Sequence, residues 1–147
     1  MLRAAIVLIA LHTGAASADD TLYRALGGQE VIVRLADATI DASVTDPRIT
    51  HTFDEVNVRR VKRLLADQIC ELTGGPCVYE GRTMQESHYH LDLTDAHFNW
   101  LVEHLQDAMD RENIPFFTQN KLLAILAPMR RDIVKRDIPA PPYQAAK

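Results

Sequence analysis

Residues 74–88 read Gly74-Gly75-Pro76-Cys77-Val78-Tyr79-Glu80-Gly81-Arg82-Thr83-Met84-Gln85-Glu86-Ser87-His88. Two glycines followed by a proline stop whatever helix precedes them. Glycine accepts the left-handed turn at a helix C-terminus, and proline has no N–H with which to continue. A loop through Tyr79, Gly81 and Arg82 then leads into a short segment, Met84 to His90. Met84 and His88 are four residues apart, so a helical turn places both on one face. On that turn His90 points roughly 200° away from His88.

Upstream, Asn57 is placed to cap a helix running to about Thr73, with Val58, Val61, Leu65, Ile69 and Leu72 as its apolar stripe. Arg59, Arg60, Lys62 and Arg63 lie largely outside that stripe. Before it, Thr21 to Leu26 reads as a short helix stopped by Gly27-Gly28. Gln29 to about Val44 is the next, with Ile32, Leu35, Ala36 and Ile40 on one face and Asp46-Pro47 as its end. Downstream, Thr94 caps a long helix to about Arg111, turning Phe98, Leu101, Val102, Leu105 and Met109 inward. Thr118 starts a last helix through Leu122, Leu123, Leu126, Met129 and Ile133, and Pro128 should kink or divide it. No segment alternates as a strand does, so the fold class is all-α, with two helix pairs able to enclose a ligand.

At the N-terminus, a positive start at Arg3 precedes the apolar run Ala4 to Leu11, and small residues end in Ala16-Ser17-Ala18. That is the layout of a secretory signal peptide cut after Ala18. The run is shorter than the roughly 20 apolar residues of a membrane span, although an uncleaved anchor is the alternative. The expected organisation is a signal peptide over 1–18, one domain over 19–137 and a flexible tail over 138–147, in the periplasm or secreted. The mature 129 residues lose one arginine, moving the formal charge from −4 to −5, which argues against a nucleic-acid surface. With 47% hydrophobic and 24% charged residues the chain is globular rather than disordered. For an exported chain, Cys70 and Cys77 are a disulfide candidate, since Gly74-Gly75-Pro76 between them can reverse direction.

Six histidines are present, at 12, 51, 88, 90, 97 and 104. His97 and His104 sit on the long helix, where surface or packing roles are the usual ones. His88 differs, because it faces an apolar stripe. By pattern alone such a residue is more often a hydrogen-bonded core histidine, but it is also what a haem iron takes as its proximal ligand. A second reading is a periplasmic copper or zinc protein using Met84, His88 and His90. A third is a structural helical bundle that binds a partner protein.

Taken together, Leu22-Tyr23, Leu26-Gly27-Gly28, Phe53, Gly74-Gly75-Pro76, Tyr79, Gly81, Met84, His88 and Leu126-Ala127-Pro128 resemble the group I truncated haemoglobins over about residues 21 to 135. The resemblance implies a two-over-two helical sandwich, a shortened relative of the globin fold, holding haem b. It implies that His88 is the proximal iron ligand, that Phe53 packs on the porphyrin, and that Tyr79 and Met84 border the haem on the proximal side. Arg59, Arg60, Lys62, Arg63 and Arg82 then become candidate partners for the haem propionates.

Many members of that family carry tyrosine and glutamine where the gas binds. By register from the glycine pairs, the corresponding residues here are Ile40, Val61 and Leu65, none of which donates a hydrogen bond. Thr39 and Gln68 are the nearest candidates to supply one. The expectation is therefore a haem protein that binds a diatomic gas (O2, CO or NO) in an apolar pocket, possessing an electron donor as a candidate partner. The sequence shows no nucleophile–base pair, phosphate loop or paired carboxylates at helical spacing. It leaves open whether binding alone, nitric-oxide dioxygenation or another redox activity is the role.

Overall fold

The structure is a computed structural model and describes residues 19–135. The signal peptide read at 1–18 and the tail read at 138–147 lie outside the described residues. Seven α-helices are found among them, with no strand: α1 (Thr21–Ala25), α2 (Gly28–Thr45), α3 (Val58–Leu72), α4 (Met84–His88), α5 (Asp95–Arg111), α6 (Phe116–Leu126) and α7 (Arg130–Ile133). Single 3-10 turns occupy Thr50–Phe53 and Ala127–Met129.

Helix ends follow local chemistry. The Asn57 side chain accepts the Arg60 N–H at 3.0 Å and opens α3. Thr94 accepts the His97 N–H at 3.3 Å and opens α5. Asp46 closes α2 in an extended conformation. There its carboxylate holds Arg48 and takes a 3.0 Å contact from His104 Nε2, tying α5 to the end of α2. Pro128 divides the last helix as anticipated, leaving a 3-10 turn between α6 and α7. One boundary differs: α6 begins at Phe116 rather than Thr118. Pro115, with φ near −58°, initiates it, and Thr118 is buried in the first turn. The sequence signal failed there because Phe116 and Phe117 are exposed, so the apolar spacing starts late.

Helix α2 is the hub, packing along both α3 and α5. Ile32, Leu35 and Ala36 of α2, Ile69 of α3, Met109 of α5 and Leu122 of α6 belong to one buried cluster. These side chains join the pair α2–α3 to the pair α5–α6 in the two-over-two arrangement. Burying each of the larger ones is worth about 1.5–3 kcal/mol. Short α4 is excluded from this core and packs instead on α7.

The Gly74-Gly75 stop is fixed by two different requirements. Gly74 has φ +87°, the left-handed region glycine tolerates. Gly75 has no room for a Cβ, which would lie 2.5 Å from the Tyr23 ring and 2.6 Å from Cys70 Sγ. Just beyond, Cys77 is bonded to Cys70, the two Cα atoms 5.8 Å apart. The bridge ties the loop that leads to Tyr79 and α4 onto the buried end of α3. Closing so short a loop is worth about 2–3 kcal/mol through the unfolded chain's entropy. The Cys70→Ser/Cys77→Ser double variant is expected to lose about that much in urea unfolding. An unchanged midpoint would show that the bridge constrains nothing.

Candidate functional site

Helix α4 is only five residues long, yet it is tightly fixed at its start. Thr83 Oγ1 accepts the Glu86 N–H at 3.2 Å, and the Glu86 carboxylate accepts the Thr83 N–H at 3.0 Å and its hydroxyl at 2.8 Å. The preceding loop folds on itself. Tyr79 donates its hydroxyl to the Arg82 carbonyl at 2.8 Å, and its ring lies against Gly81, where any Cβ would collide with it. The spacing Tyr-x-Gly is thus a packing requirement.

His88 closes α4. Its Nδ1 lies 2.7 Å from the Met84 carbonyl oxygen, which can only accept, so Nδ1 carries the proton. The lone pair is therefore on Nε2. Burial lowers the pKa of His88 below that of an ordinary imidazole, while the Met84 hydrogen bond opposes the shift. The ring is neutral at neutral pH, with one free nitrogen and a fixed tautomer.

His88 faces a cavity of about 290 Å³. Its wall is drawn from α2, the 50–53 turn, α3, α4, α5 and the last helices. All seven residues singled out in the sequence lie on it: Ile40, Phe53, Val61, Leu65, Tyr79, Met84 and His88. The remaining lining is mostly aliphatic or aromatic, including Ile49, Val56, Leu64, Phe98, Leu101, Val102 and Leu105.

Of the two anticipated donors, Thr39 is buried and gives its hydroxyl proton to the Leu35 carbonyl at 2.7 Å. Gln68 reaches along the wall and places Nε2 3.6 Å from Met84 Sδ, a weak acceptor. The 40, 61 and 65 positions present only hydrocarbon.

Two features of the wall were not legible beforehand. His97, read as a surface or packing residue, lines the cavity. The cue was its place three residues after the Thr94 cap and beside inward-facing Phe98. None of the five cations nominated for propionates lines the cavity. Lys62 Nζ is 2.7 Å from Asp41, and Arg63 is 3.3 Å from Asp67. Arg59, Lys62 and Arg63 border a separate groove between α2 and α3. Helical periodicity identifies the solvated face of α3 but not what lies across from it, so the sequence did not show that these charges stand off the cavity wall.

For the copper or zinc reading, Met84 and His88 are on the wall, and exposed His90 joins them from the turn after α4. Among the described residues no group of three or more His, Cys, Asp or Glu side chains could hold a metal ion. Haem fits these residues better. It needs a neutral imidazole with a free nitrogen, oriented by a hydrogen bond from its other nitrogen, at the wall of a dry apolar cavity.

Comparison with known proteins agrees. Residues 21–135 match the family described as bacterial-like globin. The group 1 truncated hemoglobin GlbN of a Nostoc species is 30% identical over 89 residues, covering 60% of this chain and 75% of that protein. Its counterpart from Mycolicibacterium paratuberculosis is 26% identical over 113 residues, 77% and 83% of the two chains. Among solved structures, truncated hemoglobin from Tetrahymena pyriformis in the Fe(III) form superposes with a TM-score of 0.75 at 23% identity, over 78% of this chain and 98% of that one. The 2/2 hemoglobin of a Synechococcus species gives 0.72 at 24% identity, over 78% and 98%. The chain belongs to the bacterial-like globins, as a group I truncated haemoglobin whose cofactor is haem iron.

Proposed function

We propose that this globin binds a diatomic gas, with His88 Nε2 holding the iron from one side of the cavity and Ile40, Val61 and Leu65 bordering the gas on the other. The observation that carries the reading is the neutral, singly hydrogen-bonded imidazole of His88 facing an apolar cavity. Bound haem supplies an iron that takes a diatomic gas in its ferrous state. The chain's own residues orient His88 through Met84, exclude water with aliphatic side chains, and withhold any strong donor from the gas. Phe53, Tyr79 and Met84 supply flat or flexible apolar surface to the porphyrin.

A hydrogen bond to O2, which takes on partial negative charge, is worth roughly 1–3 kcal/mol and does little for CO. Without it, O2 binds weakly relative to CO and the ferrous protein oxidises quickly in air. A partner able to return the iron to the ferrous state fits this reading. Export to the periplasm also belongs to it, supported by the 1–18 pattern and by the Cys70–Cys77 bridge, which suits an oxidising compartment.

The test is haem uptake followed by gas binding to the ferrous protein. A one-to-one haem complex with slow CO loss, fast O2 loss and rapid oxidation in air is expected. No haem uptake overturns the reading. A long-lived ferrous protein in air overturns its apolar half.

A further inference from the structure

We infer that His97 anchors a haem carboxylate, donating a hydrogen bond from Nε2–H at the edge of the cavity. The inference rests on the haem reading above and extends it to how the group is held. Haem is a disc with apolar faces and two propionate carboxylates on one edge, and a carboxylate leaving water needs a donor or a cation. Among the described residues lining the cavity there is no Lys or Arg. The side chains there that carry an N–H group are Gln68 and the three histidines 88, 90 and 97. Gln68 is turned onto Met84 Sδ. His88 spends one nitrogen on the Met84 carbonyl and offers the other to iron. His90 is exposed on the turn that follows α4.

His97 is the remaining N–H carrier on the wall, and it too is held in one protonation pattern. The Thr94 backbone N–H points at His97 Nδ1 across 3.2 Å, so that nitrogen must present its lone pair. The neutral ring therefore carries its proton on Nε2. Burial, and then the neighbouring His51, lower the His97 pKa, so the neutral ring prevails at neutral pH. His51 and Trp100 flank the imidazole, with ring centroids 5.2 and 5.7 Å away. The helix cap and the two flanking rings thus fix an N–H donor where the 50–53 turn meets the start of α5. A rigid donor of this kind recognises an anionic oxygen with little ordering cost.

The experiment compares wild type with His97→Phe, each loaded with protohaem or with its dimethyl ester, in which both carboxylates are masked. Haem loss to excess apomyoglobin is the readout. Loss of protohaem is expected to quicken about tenfold in His97→Phe, as for a lost charge-assisted hydrogen bond, with no change for the ester. His97→Gln, which preserves both the helix cap and an N–H donor, should restore most of the retention. Equal quickening with both haems, or none with either, overturns the inference while leaving the haem reading intact. Failure of wild type to take up either haem overturns the haem reading itself. If His97→Phe does not fold, the wild-type CO form decides by NMR. An exchange-protected His97 Nε2 proton with protohaem but not with the ester supports the carboxylate contact, and identical behaviour with both refutes it.

Discussion

His88→Gly is expected to lower haem affinity by more than about 100-fold, the upper end of what losing even a supporting partner of a ligand costs. The Soret band of the five-coordinate ferrous protein should vanish or shift, and free imidazole added to the buffer should restore it. The reasoning is geometric. His88 is the histidine on the wall whose Nδ1 proton is committed to the Met84 carbonyl, leaving Nε2 as a directed lone pair. Its neighbour His90 follows the end of α4 and is exposed, so it cannot substitute without unwinding the turn. Glycine in place of His88 leaves a hole of imidazole size beneath a helix that the Thr83–Glu86 cap still holds. Rescue by imidazole is thus the discriminating result. Haem binding indifferent to His88→Gly would place the iron elsewhere.

Leu65→Gln should have the opposite character, leaving haem in place and changing how the gas is held. Leu65 lies on the cavity wall in the middle of α3, one turn after Val61 and one turn before Gln68, and the α2 hydroxyl on that wall, Thr39, is committed to the Leu35 carbonyl. A carboxamide there supplies the donor that Ile40, Val61 and Leu65 withhold. At roughly 1.5–3 kcal/mol for a hydrogen bond to a charged acceptor, O2 loss should slow by about 10- to 100-fold. CO loss should change little, and the ferrous protein should survive correspondingly longer in air. Leu65→Met, of similar volume and without a donor, should leave all three quantities near wild type. Stopped-flow measurement of O2 and CO dissociation decides between them. Equal effects of Gln and Met would mean that cavity shape, not hydrogen bonding, governs the gas.

The extent to which sequence foretold this site depended on the kind of signal involved. Asn57 and Thr94 announce helix starts because a short polar side chain satisfies free N–H groups there, and both caps are found as read. The string from Gly74 to His88 was legible because its spacings are packing constraints. Gly75 has no room for a side chain, Gly81 lies under the Tyr79 ring, and Met84 supplies the carbonyl that orients His88. Less legible was which surfaces face one another. Arg59 and Arg63 are a helix's solvated side whichever way the helix lies, and local pattern carries no information about the element opposite. His97 was missed for the converse reason. It serves the helix cap through one nitrogen, which hides in the sequence that the rest of the ring faces the cavity. The commitment of the Thr39 hydroxyl to Leu35 likewise depends on a rotamer that no spacing encodes.

The most direct test of the account is resonance Raman spectroscopy of the ferrous, gas-free protein, which reports the iron–imidazole stretch. The account predicts that band in wild type, its loss in His88→Gly, and its return with added imidazole. A ferrous protein without the band, or one that keeps it unchanged when His88 is removed, would contradict the assignment of His88 as the iron's ligand.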